Sequence, residues 1–563
     1  MPGCRARVSP SANPRCTAAR HRHHLAAAQL SAAAQLHLAV HVDTSLGDDL
    51  LGFRAGVQQV GQLEELTQPD GARPHRDVLH RPSVALRRGN GEAGTVPDSS
   101  AAPPTIFVLY GATGDLAKRM VLPAFYQLAI AGLLPAQWRL VGNGRGDVSH
   151  EDFAGRVHGA LAEFGPHPDS GPWAEFSQRL LFAGGGFEAS DPGSMLDVLT
   201  HAKSQLGTDA QHVHYLAVPP SAFGKLTEGI GEHGLAEGSR VVYEKPFGTS
   251  PEGFGELDAA VHRVLAEQQV YRIDHFLGKE ATQNLHVLRF ANTLIADIWN
   301  SRHVAQVQID VPETLGIVDR AEFYDATGAV LDMLVTHLFQ VAAEVAMEPP
   351  ISLRADDLAS ARESVIAAFR PLDPADVVLG QFTGYTDTDG VATGSTTETF
   401  VAAKMWVDTD RWRGVPFLMR TGKRLAVSEQ RVSLVFRDPA GPLTHVPADA
   451  GMLSFSLSGD GSVDLSFVVK EPGPELGLAV GTTRLELAKV PGGDPLPPYA
   501  RLIHDVLLGD RSLFTRPDGL AHVWEVAKPL LSARPQVQPY EPGSMGPASA
   551  DTLVEPGRWV VHG

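Results

Sequence analysis

The sequence predicts two folded domains in succession, a doubly wound α/β domain with a parallel sheet and an α+β domain with a large, mainly antiparallel sheet. Short apolar strands alternate with helical patterns between residues 105 and 272, which is typical of right-handed βαβ crossovers. Beyond residue 279, one long helical pattern precedes segments that alternate apolar and polar residues, as half-buried antiparallel strands do. A chain of 563 residues is long enough for two or three such domains.

The predicted α/β domain spans residues 103–272. Its first strand stops at Gly111, and residues 115–131 then show the periodicity of a helix. Helical patterns also separate the later strands, which favours a parallel sheet. The strands are predicted at 106–110, 139–141, 213–218 and 240–243.

The predicted α+β domain spans residues 273–563. Residues 331–347 form an apolar helix pattern whose ionisable residues are Asp332, His337 and Glu344. The strands of the antiparallel sheet are predicted at 304–311, 400–407, 431–436, 452–457 and 463–469.

Residues 1–102 differ from the rest of the chain in composition. The first hundred residues contain eleven arginines and no lysine, with alanine-rich patches such as 25–40. An arginine-containing head before an apolar run resembles a targeting segment, but Gln29 and Gln35 interrupt that run, which is also too short to span a membrane. We therefore expect a poorly ordered extension or sequence translated upstream of the true start. A transit-like segment and a small domain are the alternatives.

The overall composition, with 43% hydrophobic and 20% charged residues, is that of a soluble globular protein. A net charge of −18 argues against nucleic acid and against an anionic membrane as partners, because both favour a basic surface. An anionic ligand must then be bound by a local basic cluster. The only cysteines are Cys4 and Cys16, so the folded part has no disulfide and no thiolate metal site. We expect no metal and a reducing compartment, the cytoplasm.

The most chemically dense stretch is 270–279, which reads VYRIDHFLGK. We predict that Asp274 and His275 lie in the first turn of a helix that continues through 280–290. His275 and Lys279 are then neighbours on one helix face, about 6 Å apart. Basic side chains at a helix N-terminus describe an anion site. The alternative is a solvated face with an ordinary capping aspartate.

A glycine-rich loop follows the first predicted strand and opens a helix, which is the context of a dinucleotide-binding fingerprint. The spacing is G-x-x-G-x-x-A, so Gly111 would allow the tight turn and Gly114 would let backbone N–H groups approach a pyrophosphate. The alternative is a plain βα turn. The candidate cofactor-binding residues in the loop are Gly111, Ala112, Thr113, Gly114, Asp115 and Leu116.

The end of the second predicted strand indicates which nicotinamide cofactor binds. An NAD site usually has an acidic residue there, which binds the ribose 2′-hydroxyl. This chain instead has Arg145, with no acidic residue before Asp147. A guanidinium at this point favours the 2′-phosphate of NADP. A solvated arginine is the alternative.

Three motifs together resemble the glucose-6-phosphate dehydrogenase family. RIDHFLGKE at 272–280 is similar to the family signature RIDHYLGKE, and GATGDLAKR at 111–119 and EKPFG at 244–248 stand at family-like distances. From about Pro103 the chain is similar to this family throughout, including RFANTLIADIWN, LDMLVTHLFQ and YARLIHDVLLGD. The resemblance implies a Rossmann-type NADP-binding domain followed by a substrate domain.

The resemblance also implies roles for single residues. His337 matches the base that accepts the proton of the sugar C1 hydroxyl, a task suited to a group that titrates near neutrality. Asp274 would accept the other ring N–H and fix the tautomer. From its helix pattern alone, a lone histidine at this position is more often a satisfied core residue. The implied substrate contacts are His275 and Lys279 at the phosphate, Lys245 at both sugar and cofactor, Glu313 and Asp332 at hydroxyl groups, and Lys423 as a further basic contact.

Four positions depart from the family pattern. Phe276 replaces a tyrosine that touches the phosphate, Met120 stands where many members carry a lysine, and Ser428 occupies a second basic position. Phe223 replaces a tyrosine near the cofactor. Three of the four substitutions remove polar or basic contacts on the substrate side, so they leave the identity of the sugar open.

The leading hypothesis is an NADP-dependent enzyme that oxidises glucose 6-phosphate at C1 to the 1,5-lactone, the entry step of the pentose phosphate pathway. One alternative is a paralogue that acts on another hexose phosphate or on a free aldose. Another is a non-catalytic homologue that binds a dinucleotide and regulates a partner. The presence of Asp274, His275, Lys279 and His337 argues against this last reading. We also expect a homodimer or a homotetramer.

Overall fold

The computed structural model describes residues 102–562, apart from 169, 208, 318–319, 444–445, 448–449, 459–460 and 493–494. Residues 1–101 are outside the described part of the chain, and so is the expectation for the N-terminal extension that concerns them.

The first sheet is parallel throughout and confirms the predicted doubly wound fold. Its strands are β1 (Thr105–Tyr110), β2 (Trp138–Asn143), β3 (Leu180–Ala183), β4 (Gln211–Leu216), β5 (Arg240–Tyr243) and β6 (Val270–Arg272). They lie side by side in the order β3-β2-β1-β4-β5-β6. Every residue of β1 is buried, as expected for a central strand covered by helices on both faces.

Helices cover both faces of this sheet. A π-helix (Ala117–Val121) follows the β1 loop and leads into the first α-helix. The α-helices of this part are α1 (Leu122–Ile130), α2 (His150–Phe164), α3 (Ser170–Ser177), α4 (Met195–Leu206), α5 (Phe223–Glu232) and α6 (Pro251–His262). Two separate hydrophobic clusters form on the two faces, one around Phe107 and Phe125 and the other around Val108 and Ile230.

The second sheet has nine strands and is mainly antiparallel, as predicted. The strands are β7 (Val304–Pro312), β8 (Val377–Phe382), β9 (Phe400–Trp406), β10 (Pro416–Gly422), β11 (Arg431–Phe436), β12 (Met452–Ser456), β13 (Val463–Lys470), β14 (Leu478–Leu485) and β15 (Val537–Tyr540). Their order is β14-β13-β12-β11-β7-β10-β9-β8-β15. Two neighbouring pairs, β7 with β10 and β8 with β15, run parallel.

The second sheet packs against a helical layer. Its helices are α7 (Glu280–Ala291), α8 (Thr293–Ile298), α9 (Ala321–Ala329), α10 (Phe339–Ala346), α11 (Ala355–Ile366) and α13 (Pro517–Ser532), while α12 (Pro498–Leu508) lies apart from this layer. Between α9 and α10 lies a π-helix, Val330–Leu338, which we call the site π-helix. The described residues also contain short 3₁₀ turns at Pro220–Ala222, Glu267–Gln269, Pro374–Asp376, Tyr385–Asp387, Leu487–Lys489 and Ala548–Leu553.

The helical run from Ala321 to Ala346 is long and apolar enough to cross a membrane, with a mean hydropathy of 1.4. Within the protein, however, 89% of its most apolar window is buried. Gly328 also breaks the run, with φ 65° and ψ 176°. The run is therefore the central core helix of the second domain.

Helix α12 comes late in the sequence but packs on the first sheet. Leu502 and Val506 belong to the same hydrophobic cluster as Phe107 of β1. The guanidinium of Arg240 donates to the carbonyl oxygens of Val506 and Leu507 at 2.6 and 2.8 Å. The C-terminal part of the chain thus completes the core of the first domain.

Candidate active site

The carboxyl edge of the first sheet collects the candidate residues of the first domain. The glycine-rich loop follows β1, Arg145 follows β2, Lys245 follows β5 and Asp274 follows β6. Ligands of doubly wound sheets bind at this edge.

The loop after β1 has the shape that a dinucleotide requires. Gly111 has a φ of 73°, and a Cβ on it would lie 2.3 Å from the carbonyl oxygen of Ala217, so only glycine fits. The N–H of Gly114 donates to the carbonyl of Gly111 at 2.9 Å and closes the turn. Ala117 is fully buried behind it. Arg145 is exposed in the loop after β2.

The prediction that Asp274 and His275 begin a helix is wrong. Residues 275–278 form a turn, and α7 begins at Glu280. The cause is the side chain of Asp274, whose Oδ1 accepts the backbone N–H of Phe276 at 2.9 Å. A short polar side chain that bonds the backbone in this way favours a turn over a helix. His275 therefore projects from a turn, and Lys279 is the N-cap residue of α7.

The site π-helix brings Asp332 and His337 to the same cation. In an α-helix, five positions correspond to a rotation of about 500°, which leaves two such side chains about 140° apart. The wider turn of a π-helix, with i→i+5 bonds, places them on the same side. The ammonium Nζ of Lys245 lies 3.2 Å from Oδ1 of Asp332 and 2.7 Å from Nε2 of His337.

His337 is a buried base with a defined tautomer. Its Nδ1 lies 2.6 Å from Oδ1 of Asp274. Its Nε2 faces the Lys245 ammonium, which has only N–H donors to offer. The partners therefore assign the ring proton to Nδ1, which donates to Asp274, and the lone pair to Nε2.

Burial lowers the pKa of His337 well below its ordinary value, and the charge of Lys245 lowers it further. From the sequence we expect a group that titrates near neutrality, and in the free protein burial and Lys245 shift the pKa of His337 downward from there. Burial raises the pKa of Asp274 to about 6. Burial alone would also raise the pKa of Asp332, but the charges of Lys245 and Lys423 lower it to about 2.

A basic cluster lies beside the histidine. The ring centroids of His275 and His337 are 4.7 Å apart. The Nζ of Lys279 lies 3.8 Å from the ring centroid of Phe276 and donates to Oε1 of Gln430 at 2.5 Å. Burial lowers the pKa of Lys279 to about 8, so this side chain is positively charged in most molecules at pH 7.

Glu313 and Lys423 lie side by side because of the strand register. Pro312 and Gly422, the last residues of β7 and β10, are register partners in a parallel pair. The next residue of each strand therefore sits at the same level, and Lys423 Nζ lies 2.5 Å from Glu313 Oε2. Since the charge of Lys423 also lowers the pKa of Asp332, this ion pair belongs to the same site.

Sequence reasoning missed three residues of this site. The buried carboxylate of Glu244 accepts from the Tyr215 hydroxyl at 2.6 Å and from the Tyr499 hydroxyl at 3.5 Å. The ring of Tyr499 is nearly parallel to that of His275, at 6.3 Å. Glu244 is the first residue of the EKPFG motif and Tyr499 is the first residue of YARLIHDVLLGD, so their positions in these motifs could have marked both as site residues. Gln430 had none, because it is 151 positions from its partner Lys279.

Ligand atoms of Asp274, His275 and His337 lie within 4.8 Å of one another, which is close enough to hold a metal ion. The Lys245 ammonium, however, occupies the lone pair of His337, and Lys279 adds a second positive charge nearby. Two ammonium groups oppose a metal cation at this point. The arrangement instead suits proton transfer to His337.

A doubly wound sheet with a glycine-rich loop, facing a buried histidine–aspartate pair and a basic cluster, defines a dehydrogenase that uses a nicotinamide nucleotide. Family models agree with this class: residues 108–284 match the glucose-6-phosphate dehydrogenase NAD binding domain, and residues 286–560 match the C-terminal domain of the same family. The chain belongs to the glucose-6-phosphate dehydrogenase family.

Individual relatives support this membership. Glucose-6-phosphate 1-dehydrogenase 2 of Mycobacterium bovis is 38% identical over 479 residues, which cover 80% of this chain and 92% of that protein. Glucose-6-phosphate 1-dehydrogenase of Gluconobacter oxydans is 35% identical over 472 residues, which cover 80% of this chain and 96% of that protein.

Two solved structures share the fold. The crystal structure of glucose-6-phosphate 1-dehydrogenase from Mycobacterium avium has a TM-score of 0.74 and 33% identity, covering 82% of this chain and 99% of that chain. A glucose-6-phosphate dehydrogenase in complex with its substrate glucose-6-phosphate has a TM-score of 0.75 and 29% identity, with the same coverage.

Proposed function

We propose that this protein oxidises D-glucose 6-phosphate at C1 to 6-phospho-D-glucono-1,5-lactone with NADP, the first step of the oxidative pentose phosphate pathway. The observation that carries the proposal is the contact of His337 with Asp274 and Lys245. Asp274 orients His337, the base, so that its free nitrogen faces the Lys245 cation at the edge of the nucleotide-binding sheet. Family membership supports it.

The glycine-rich loop fits a dinucleotide, because a Cβ at position 111 would fill the space that the turn leaves beside Ala217. Gly111–Leu116 would hold the pyrophosphate and Arg145 the 2′-phosphate. When bound, the nicotinamide ring supplies the acceptor for the hydride from C1.

The residues of this chain supply the proton chemistry. The C1 hydroxyl of the sugar displaces the Lys245 ammonium from Nε2 of His337, and this nitrogen accepts the hydroxyl proton as the C1 hydride leaves and a C1 carbonyl forms. Asp274 accepts the Nδ1–H bond throughout and stabilises the imidazolium. Lys245 remains close enough to donate to a sugar oxygen.

The other site residues would bind the sugar. Lys279 is the cation for the phosphate, with His275 and the amide of Gln430 beside it. Asp332 and Glu313 are carboxylates that accept hydrogen bonds from sugar hydroxyls, and both are paired with lysines in the free protein.

A steady-state screen tests the proposal. Glucose 6-phosphate, other hexose phosphates and free glucose are compared, each with NADP and with NAD. The highest kcat/KM is expected for glucose 6-phosphate with NADP. A preference for another hexose phosphate or a free aldose would favour the second candidate function, which rests on Phe276 and Gln430 beside Lys279. No turnover with any sugar would favour a non-catalytic role.

Arg145→Ala is expected to weaken NADP binding about tenfold and to leave NAD binding unchanged. One charge-assisted contact at an exposed site contributes roughly 1.5 kcal/mol, which corresponds to that factor. Fluorescence titration of both dinucleotides measures the effect. Arg263→Ala, an exposed arginine just beyond α6, is the matched control. Equal losses for the two cofactors would show that Arg145 does not bind the 2′-phosphate.

Self-association as a homodimer or homotetramer is part of the proposal. Strand β14 is an edge strand of the second sheet. The hairpin that it forms with β13 carries apolar side chains whose exposed fraction is 36–47%. These are Phe467, Val468, Val469, Val480 and Leu485. An edge strand with such a surface is suited to pairing with a second copy.

The double variant Phe467→Glu/Val469→Glu is expected to be a monomer in light scattering, whereas the unaltered protein is an oligomer. Phe467 and Val469 are two positions apart along β13, so their side chains lie on the same face of the strand. Two carboxylates on this face would prevent apolar packing. Ile351→Glu, at an apolar side chain that is 97% exposed elsewhere, should stay oligomeric. An oligomeric double variant would contradict this interface.

We place the reaction in the cytoplasm, because the chain after Cys16 contains no cysteine and such a composition fits a reducing compartment. Cell fractionation with an activity assay tests this placement.

A further inference from the structure

The start of the site π-helix is held by a carboxylate from the second sheet. Glu398 lies two residues before β9 and has no solvent exposure. Its Oε1 accepts the N–H of Val330 at 3.0 Å, and its backbone carbonyl accepts the N–H of Ala329 at 2.9 Å. The other carboxylate oxygen accepts from Arg534 at 2.9 Å. Glu398 thus satisfies two N–H groups that a helix start leaves without partners.

The chain is shaped to receive this carboxylate. Gly328, two residues before the site π-helix, has a φ of 65°, and a Cβ there would lie 2.4 Å from Oε1 of Glu398. Any other residue at position 328 would push the carboxylate away from Val330. Glycine at this position therefore serves the contact with Glu398.

The loop that carries Glu398 is itself fixed to α9. Asp325 accepts hydrogen bonds from the Tyr385 hydroxyl, the Ser395 hydroxyl and the N–H of Ala392. On the other side of Glu398, the carbonyl of Thr399 accepts the N–H of Lys423. One short segment thus contacts both the site π-helix and Lys423, the residue that follows β10.

We propose that Glu398 is a positioning residue, whose buried carboxylate sets the start of the site π-helix and thereby the register in which Asp332 and His337 both reach Lys245. The proposal rests on the proposed function for its kinetic test. The register matters because a π-helix is the geometry that brings positions five apart to one side. A shift of the first turn would move His337 away from Lys245 and Asp274.

Glu398→Ala is expected to lower kcat roughly 10- to 100-fold with little change in the KM for NADP, since a displacement of about 1 Å has an effect of this size. Glu398→Gln keeps an oxygen for Val330 and should recover most of the loss. Asp310→Asn is the matched control, because Asp310 is another buried carboxylate paired with an arginine, Arg420, and is outside the site. It should lower the melting temperature and leave kcat unchanged.

The second readout does not depend on turnover. Histidine NMR of the free protein follows the titration of His337. The titratable groups around this ring are Asp274, Asp332, Lys245, His275, Lys279 and Lys423. If the register shifts in Glu398→Ala, His337 moves away from the Lys245 charge, which lowers its pKa, and from the Asp274 carboxylate, which favours its charged form, so its titration should differ from that of the unaltered protein. The acidic limb of the kcat/KM profile should shift together with this titration.

Three outcomes would overturn the proposal. The first is a Glu398→Ala protein that melts earlier but keeps the His337 titration and kcat of the unaltered protein. The second is a Glu398→Gln protein as impaired as Glu398→Ala. If Glu398→Ala fails to fold, Glu398→Gln and Gly328→Ala are compared instead. The third outcome is then a Gly328→Ala protein in which the titration of His337 is unchanged. An unaltered protein without glucose 6-phosphate activity would refute the proposed function, while the NMR titration would still test Glu398.

Discussion

Replacing His337 with asparagine is expected to lower kcat by roughly 10²–10⁴, the usual contribution of a positioned base. Asparagine fills a similar volume but cannot accept the proton of the C1 hydroxyl. Substrate and cofactor should still bind, because the contacts proposed for the phosphate and the dinucleotide are made by other residues. Stopped-flow and steady-state kinetics with glucose 6-phosphate and NADP measure the loss.

The pH profile gives an independent check of the same residue. His337 accepts a proton only when it is neutral, and burial and Lys245 lower its pKa in the free protein. The acidic limb of kcat/KM should therefore lie below pH 6.5 in the unaltered protein and disappear in His337→Asn.

Asp274→Asn is the companion variant and should give a smaller but substantial loss, because an amide can present N–H to the ring and favour the wrong tautomer. A His337→Asn protein with unaltered kcat, or with the same acidic limb, would contradict the assignment. His275, whose ring is 4.7 Å from that of His337, would then be the next candidate.

Replacing Lys279 with alanine is expected to raise the KM for glucose 6-phosphate about 30- to 150-fold. Loss of one partner of a largely buried charged contact costs roughly 2–3 kcal/mol, which corresponds to that range. The contact holds the phosphate in the ground state and in the transition state alike, so kcat should change little.

The slow reaction with free glucose is the internal control, since this substrate has no phosphate for Lys279 to bind. Lys528→Ala, at an exposed lysine of α13, controls for the loss of one positive charge. A fall mainly in kcat, or an equal loss with free glucose, would place Lys279 in the proton or hydride step.

Local patterns in the sequence predicted most of the architecture, because burial of one face imposes a periodicity. Residues 431–434 alternate polar and apolar side chains, and β11 has the predicted bounds of 431–436. Strand β14 gave no such signal, because neither of its faces is covered and its side chains are mostly exposed. Strand β6 was too short to show a pattern, with three residues.

The candidate site was harder to derive from the sequence. The apolar periodicity of 331–347 predicts a helix but not the i→i+5 bonding, which depends on contacts with Glu398 and Gly328. The turn at Asp274 was missed because a capping aspartate and an Asx-type turn have similar local sequences. Gln430 reaches Lys279 only through the packing of two distant segments, so nothing local predicts it.

The return of α12 to the first sheet has a consequence for how the chain acquires its structure during synthesis. The cluster around Phe107 lacks Leu502, Ile503 and Val506 until about nine-tenths of the chain has left the ribosome. An N-terminal fragment that ends before α12 would expose this apolar surface and tend to aggregate. The nucleotide-binding domain therefore needs α12 to complete its core, although its sheet is formed entirely by residues 105–272.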